Sequence, residues 1–171
     1  VRDLPRHEAA IVFGCAAVLL SYPDEDSFND DMAAVEEALR RLPAGDARSG
    51  LRSCWAWVSQ AGAREAAAAY VEAFDMRRKR SLYLTYYRYG DTRERGMALA
   101  ALAAAYRDAG FSLSGGELPD FLPALLELAA SHPTGAASLA SVSWPRGVFS
   151  SPGCGLPRAR STGWRSCCCS S

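Results

Sequence analysis

The chain has 171 residues, 49% of them hydrophobic, with 19 basic and 19 acidic side chains, which suffices for one sizeable core and leaves little room for a second. The formal charge of zero hides an asymmetry, because residues 1–127 hold all 19 acids and 15 of the basic residues while residues 128–171 hold four Arg and no acid. A chain of zero net charge with a mildly acidic body is a poor non-specific phosphate binder, since that affinity rests on released counterions and clustered Lys and Arg, and no nucleic-acid partner is expected.

Residues 9–20, AAIVFGCAAVLL, form the longest apolar run near the start. It falls short of the roughly 20 residues needed to cross a bilayer, so no stable membrane insertion is expected. Asp3 and Glu8 intrude into the flank, and SYPDED follows where a secretory signal would place small residues for cleavage. The run therefore reads as a buried helix over about 5–21, stopped at Pro23, in a cytoplasmic protein.

Apolar residues then recur at i, i+3, i+4 and i+7 up to about residue 130, with no sustained alternation of period two, and the fold class is all-α. A second helix over about 26–42 puts Phe28, Met32, Val35, Leu39 and Leu42 on one stripe, with acids early and arginines late as the helix dipole favours. After Pro43-Ala44-Gly45, a third helix sets Leu51, Cys54, Trp55 and Val58 on one face and ends near Gly62. A fourth runs from about Arg64 to Phe74, with Tyr70, Val71 and Phe74 as its large anchors.

Residues 77–89 read as a fifth helix in which Tyr83, Tyr86 and Tyr87 share a face and Leu82, Tyr86 and Tyr89 form the adjoining row. Gly90 is expected to end it as a left-handed cap. Asp91 and Glu94 then have capping-box spacing and open a sixth helix, whose buried side carries Leu99, Leu102 and Tyr106 and whose stop is Gly110-Phe111. A turn with Gly115-Gly116 leads to a seventh helix, opened by Pro119 or Pro123 and carrying Leu125, Leu126 and Leu128.

From Ser131 the composition changes: the last 41 residues contain ten Ser, five Gly, four Pro and no acid. Such a stretch is not expected to fold alone. The expectation is one helical bundle of six to seven helices over residues 1–131 and an irregular or disordered tail over 132–171.

Chemistry is sparse. His7 lies near the start and His132 opens the tail, and a P-loop, a dinucleotide fingerprint and an H-E-x-x-H helix are missing. Asp75, Asp91, Glu117 and Asp120 could pair for acid-base work, but caps and turns explain Asp91 and Asp120 without it. Cys15 and Cys54 sit in apolar helical patterns and read as small hydrophobes. Cys154 and the consecutive Cys167, Cys168 and Cys169 lack the spaced pairs of a zinc site. No catalytic residue, metal site or cofactor of its own is expected, and the chain reads as a binding protein. A helical regulatory or DNA-binding protein is the alternative.

Read in order, YVEAFDMRRKRSLYLTYYRYGDTRERG and ELPDFLPALLELAA closely resemble the NarJ family of nitrate reductase molybdenum cofactor assembly chaperones. The likeness is strongest over residues 70–130, and looser over residues 5–62 through the LLSYPD element. It implies an all-helical cytoplasmic chaperone that binds the apo catalytic (alpha) subunit of respiratory nitrate reductase, partly through that subunit's N-terminal segment. It also implies that the chaperone assists molybdenum cofactor insertion and does not reduce nitrate itself.

Matching motif to motif places a client-binding wall at Leu82, Tyr83, Tyr86 and Tyr87, a polar rim at Asp91 and Arg93, and a facing loop at Glu117, Leu118, Pro119, Asp120 and Phe121. Tyrosine suits such a groove because its ring packs while its hydroxyl stays wet. About half of the tyrosines in this stretch are expected to be core, given the intermediate burial preference of Tyr. Arg77, Arg78, Lys79 and Arg80 read as a solvated face. From about residue 136 the sequence departs from the family pattern, as a shifted reading frame or a divergent tail would.

Limited proteolysis with mass mapping is expected to remove the segment beyond residue 131 before any cut within the bundle. Lasting protection of residues 140–171 would refute the expected tail.

Overall fold

The computed structural model describes residues 4–113 and 116–131; the expected tail and four of the six cysteines lie outside the described residues. Among the described residues there are six α-helices: α1 (Arg6–Leu19), α2 (Phe28–Arg41), α3 (Asp46–Tyr70), α4 (Leu84–Tyr89), α5 (Arg93–Asp108) and α6 (Leu122–Ser131). The only strand-like pairing found there is one antiparallel bridge, Tyr83 with Phe121.

α1 is central because both of its faces are apolar. Ile11, Val12 and Cys15 pack on Val35, Ala38, Leu39 and Leu42 of α2 and the turn after it. Ala9, Phe13 and Ala17 pack on Leu126, Ala129 and Ala130 of α6. Burial pushes the Cys15 thiol up to about 11, so this cysteine is a filler and no nucleophile. α6 in turn has a second buried face, where Leu125 and Leu128 meet Leu102, Ala105 and Tyr106 of α5.

α2 matches its amphipathic reading. Its stripe is buried, and on its outer face Arg40 bonds Glu36 at 3.0 Å and Glu37 at 2.8 Å. Phe28 and Met32 clamp α2 onto Val58 and Ala66 of α3, and the Trp55 indole N–H donates to the Met32 carbonyl at 2.9 Å. Cys54 departs from the expectation: it is exposed, while its neighbours Leu51 and Trp55 pack inward.

The expected third and fourth helices are joined in α3, with the break where it was expected. Gly62 has φ 76° and ψ 169°, a backbone that a side chain would strain. α3 then widens into a π-turn over Val71–Asp75, where the Met76 N–H reaches the Val71 carbonyl at 2.9 Å. At the end of α5, the Phe111 N–H bonds the Tyr106 carbonyl and the Gly110 N–H bonds that of Arg107, both at 2.9 Å. Gly110 has φ 78°, and the stop is a Schellman motif as expected.

The fifth helix is the main correction. Residues 77–89 do not form one helix: Arg78–Arg80 make a 3₁₀ turn, Ser81 and Tyr83 have extended backbones with a bend at Leu82 between them, and α4 is only six residues long. The extended segment is held by residues far along the chain, since the Leu84 N–H donates to the Asp120 carbonyl at 3.1 Å and the Leu122 N–H to the Leu82 carbonyl at 2.8 Å. Gly90 does end α4 with a positive φ of 55°, but with ψ −144° it lies outside the left-handed helical basin. The expected capping box is displaced by one residue: Thr92 is the N-cap of α5 and Glu94 falls at its second position. The Glu94 carboxyl is held below its ordinary value by its own backbone N–H and by the Thr92 side chain.

Glu127, on α6 next to the α5 face, generates a pH prediction. Burial raises its pKa from 4.5 to about 7, so between those values the folded chain keeps a proton that the unfolded chain has lost. Stability should fall by about 2 to 3 kcal/mol as pH rises through that window and level off above it. Glu127→Gln should remove the decline, with a higher melting temperature than the parent at pH 8 and a similar one near pH 4.5. Melting curves across pH on both proteins check it.

Candidate functional site

The extended residues before α4 and the loop before α6 make a single unit. Around their bridge, the Tyr83 and Phe121 rings lie 5.4 Å apart at an interplanar angle of 38°. The Tyr83 hydroxyl donates to Glu117 Oε1 at 2.8 Å. Burial, then the bond to Glu117, pushes the Tyr83 phenol well above its usual range. Tyr83 is thereby held half-buried, with a fixed carboxylate at its hydroxyl.

Behind this face lies a buried polar lock. Asp120 is fully buried (0% exposed), and its Oδ2 accepts the Thr85 backbone N–H at 3.0 Å and the Thr85 hydroxyl. The Arg95 guanidinium lies 3.8 Å from the same oxygen and donates through Nε to Thr85 Oγ1 at 3.2 Å. Arg95 also covers the Tyr86 ring at 5.6 Å and reaches Asp91 at 3.5 Å. One arginine of α5 therefore ties together α4, the loop before α6 and the start of its own helix.

The expected site residues divide accordingly. Tyr83, Glu117 and Phe121 are brought together on one face, and Leu118 is exposed beside them in sequence. Tyr87 is the most open of the expected wall tyrosines, at 55%, with its hydroxyl donating to the Ser81 carbonyl at 2.9 Å. Tyr86 is half-buried under Arg95. Leu82, Pro119 and Asp120 are inside the protein, so they hold the face in place and do not line it. Asp91 is exposed and pairs with Arg95, whereas Arg93, expected beside it on the rim, is exposed and takes no part in the lock. Arg95 was missed because it stands in the charged run DTRERG, where periodicity alone does not separate one arginine from the other; its signal was its place one turn before the buried Ala98 and two turns before the buried Leu102.

Among the described residues no group of three or more His, Cys, Asp or Glu side chains could hold a metal ion. No helix there is long and apolar enough to cross a membrane. The arrangement offers packing surface and hydrogen bonds, not a nucleophile with its base.

The family model described as nitrate reductase delta subunit matches residues 25–142. The chain belongs to that family. The match runs past residue 136, where the family pattern was expected to fail, and stops at 142. Similar proteins include the probable nitrate reductase molybdenum cofactor assembly chaperone NarJ of Bacillus subtilis, 35% identical over 71% of this chain and 65% of that protein. NarJ of Escherichia coli K12, the nitrate reductase molybdenum cofactor assembly chaperone, is 36% identical over 67% of this chain and 49% of its own length. The nitrate reductase-like protein NarX of Mycobacterium tuberculosis H37Rv is 40% identical over 71% of this chain, but the match spans only 18% of that protein. The chain thus covers less than two thirds of each of these relatives.

Removing the buried carboxylate should cost more than any surface change here. Asp120→Ala leaves the Thr85 N–H and hydroxyl and one face of Arg95 without their acceptor, at about 2 to 4 kcal/mol. Arg93→Ala should stay within about 0.5 kcal/mol of the parent. Urea unfolding of the two variants measures the contrast.

Proposed function

We propose that this chain is an assembly chaperone that binds the apo catalytic subunit of a respiratory nitrate reductase and keeps it competent for molybdenum cofactor insertion. Part of the contact is with the N-terminal segment of that subunit, and the work is done in the cytoplasm. The chaperone has no cofactor of its own and does not reduce nitrate. The observation that carries this reading is the family match over residues 25–142, supported by the two NarJ relatives whose names state that role.

The face built on Tyr83 and Phe121 suits the task. An amphipathic segment docks through a few aromatic and aliphatic anchors within a polar rim. Tyr83, Tyr87, Leu118 and Phe121 provide anchors, and Glu117 and Asp91 provide rim charges. Because Asp120 and Arg95 fix the backbone beneath, the anchors are ordered before the client arrives and little entropy is lost on binding.

The test pairs affinity with stability. Tyr87→Ala should melt close to the parent yet bind a peptide from the N-terminus of the nitrate reductase catalytic subunit more weakly, by about 1 to 3 kcal/mol. Tyr83→Ala should lose both affinity and stability, because its ring and hydroxyl are built into the fold. Isothermal titration beside thermal melts measures each. In cells lacking their own chaperone, the parent chain should raise nitrate reductase activity. Nitrate turnover by the purified chain alone would overturn the reading, as would unchanged affinity in every tyrosine variant.

A further inference from the structure

The pairing of Arg95 with Asp120 is buried yet incomplete. Asp120 Oδ2 takes two donors from Thr85, the backbone N–H at 3.0 Å and the hydroxyl. Oδ1 of the same carboxylate is buried with no hydrogen-bond partner among the described residues. Buried polar atoms are paired as a rule, so an oxygen left over inside an ion pair calls for an account. Among the described residues Arg95 is the one base that an ion pair joins to Asp120, and its Nη2 comes no nearer Oδ2 than 3.8 Å, beyond hydrogen-bonding reach.

The guanidinium is held back by its other partners. Nη1 reaches Asp91 Oδ1 only at 3.5 Å, the central carbon stands 5.6 Å from the centre of the Tyr86 ring, and Nε donates to Thr85 Oγ1 at 3.2 Å. The Asp91 side chain is 79% exposed, and an ion pair so open to water is worth little. A forked arginine–carboxylate pair, with two N–H groups at about 2.7 to 2.9 Å, is among the strong ones. An inward shift of about 1 Å would bring Nη2 onto Oδ2 and turn a second N–H toward Oδ1. Every residue in this step borders the aromatic face: Phe121 follows Asp120, Thr85 lies two residues from both Tyr83 and Tyr87, and the Leu84 N–H is bonded to the Asp120 carbonyl at 3.1 Å. As Arg95 moves in, the Tyr86 ring loses its cover beside the exposed Tyr87.

We infer that Arg95 is a latch with two positions: held outward by Asp91 and Tyr86 in the free chain, and drawn onto both oxygens of Asp120 when the client segment covers the tyrosines of α4. The inference rests on the chaperone reading above and adds to it a coupling between the client and the lock. A ligand shifts such an equilibrium only by its preference for one position, and here the preference is for the uncovered Tyr86 ring. By reciprocity, whatever draws Arg95 inward also tightens client binding.

The test is amide hydrogen exchange on the full chain, with a peptide from the N-terminus of the nitrate reductase catalytic subunit as the probe. The Thr85 N–H, bonded to Asp120, reads the lock from behind the face, and the amides of α2 report the bundle as a whole. Peptide should slow exchange at Thr85 by about tenfold relative to α2. Asp91→Asn should give part of that slowing without peptide, because the outward hold is gone. Arg95→Lys keeps the charge and loses the fork; it should bind the peptide about tenfold more weakly and show no slowing specific to Thr85. An arginine that only stabilised the fold would lower the melting temperature in Arg95→Lys and leave the peptide's effect on Thr85 as in the parent, which overturns the inference. Should Arg95→Lys not fold, Asp91→Asn decides alone: exchange at Thr85 equal to the parent's sinks the latch. Peptide binding that leaves Thr85 no slower relative to α2 also sinks the latch and leaves the chaperone reading standing. A parent chain that does not bind the peptide overturns both.

Discussion

A carboxylate with no exposed surface must have its charge answered where it sits, and Asp120 is answered through Oδ2 by Thr85 and Arg95, while its Oδ1 is buried with no hydrogen-bond partner among the described residues. Leaving such a charge unpaired costs several kcal/mol, more than a surface loop can repay. The loop before α6 is therefore confined to the one position in which these partners meet it. That position in turn sets the main-chain bonds from Leu84 and Leu122, and those bonds pull residues 81–83 out of helix. The stacking of Tyr83 on Phe121 and the bond from Tyr83 to Glu117 are the outward face of this inner constraint.

The surrounding bundle is arranged to support that constraint. α1 serves α2 and α3 with one face and α6 with the other, and α6 passes the contact on to α5. The two ends of the lock, on α5 and at the start of α6, are thus braced by one continuous core. Glu127 is a second carboxyl set into this core, raised to about 7 by burial, and it makes the α5–α6 seam sensitive to rising pH.

Where the sequence was legible, a local rule sufficed. The stripe of α2, the break at Gly62 and the stop at Gly110-Phe111 each depend on residues within one or two turns. The stretch from Arg77 to Tyr89 was misread because its helical spacing of tyrosines is genuine, yet the bridge to Phe121 competes with helix for the same backbone groups and wins at Leu82 and Tyr83. No window of ten or fifteen residues contains that competitor. The candidate site was legible in its motifs and not in its depth. Asp120 has the look of an ordinary turn residue in LPDF, and Leu82 that of a groove wall, until the fold buries both. Arg93 and Arg95 are equal in composition and differ only in which side of α5 they leave from.

The place of α6 in this architecture bears on how the chain is made. Synthesis delivers α1 to α5 well before α6, and at five to twenty residues per second the delay is on the order of seconds. During that interval α1 has a partner for Ile11, Val12 and Cys15 but none for Ala9, Phe13 and Ala17, and Asp120 has not yet met Thr85 and Arg95. A nascent chain halted before Leu122 would hold a paired half-core beside a bare apolar stripe that only the last helix can cover.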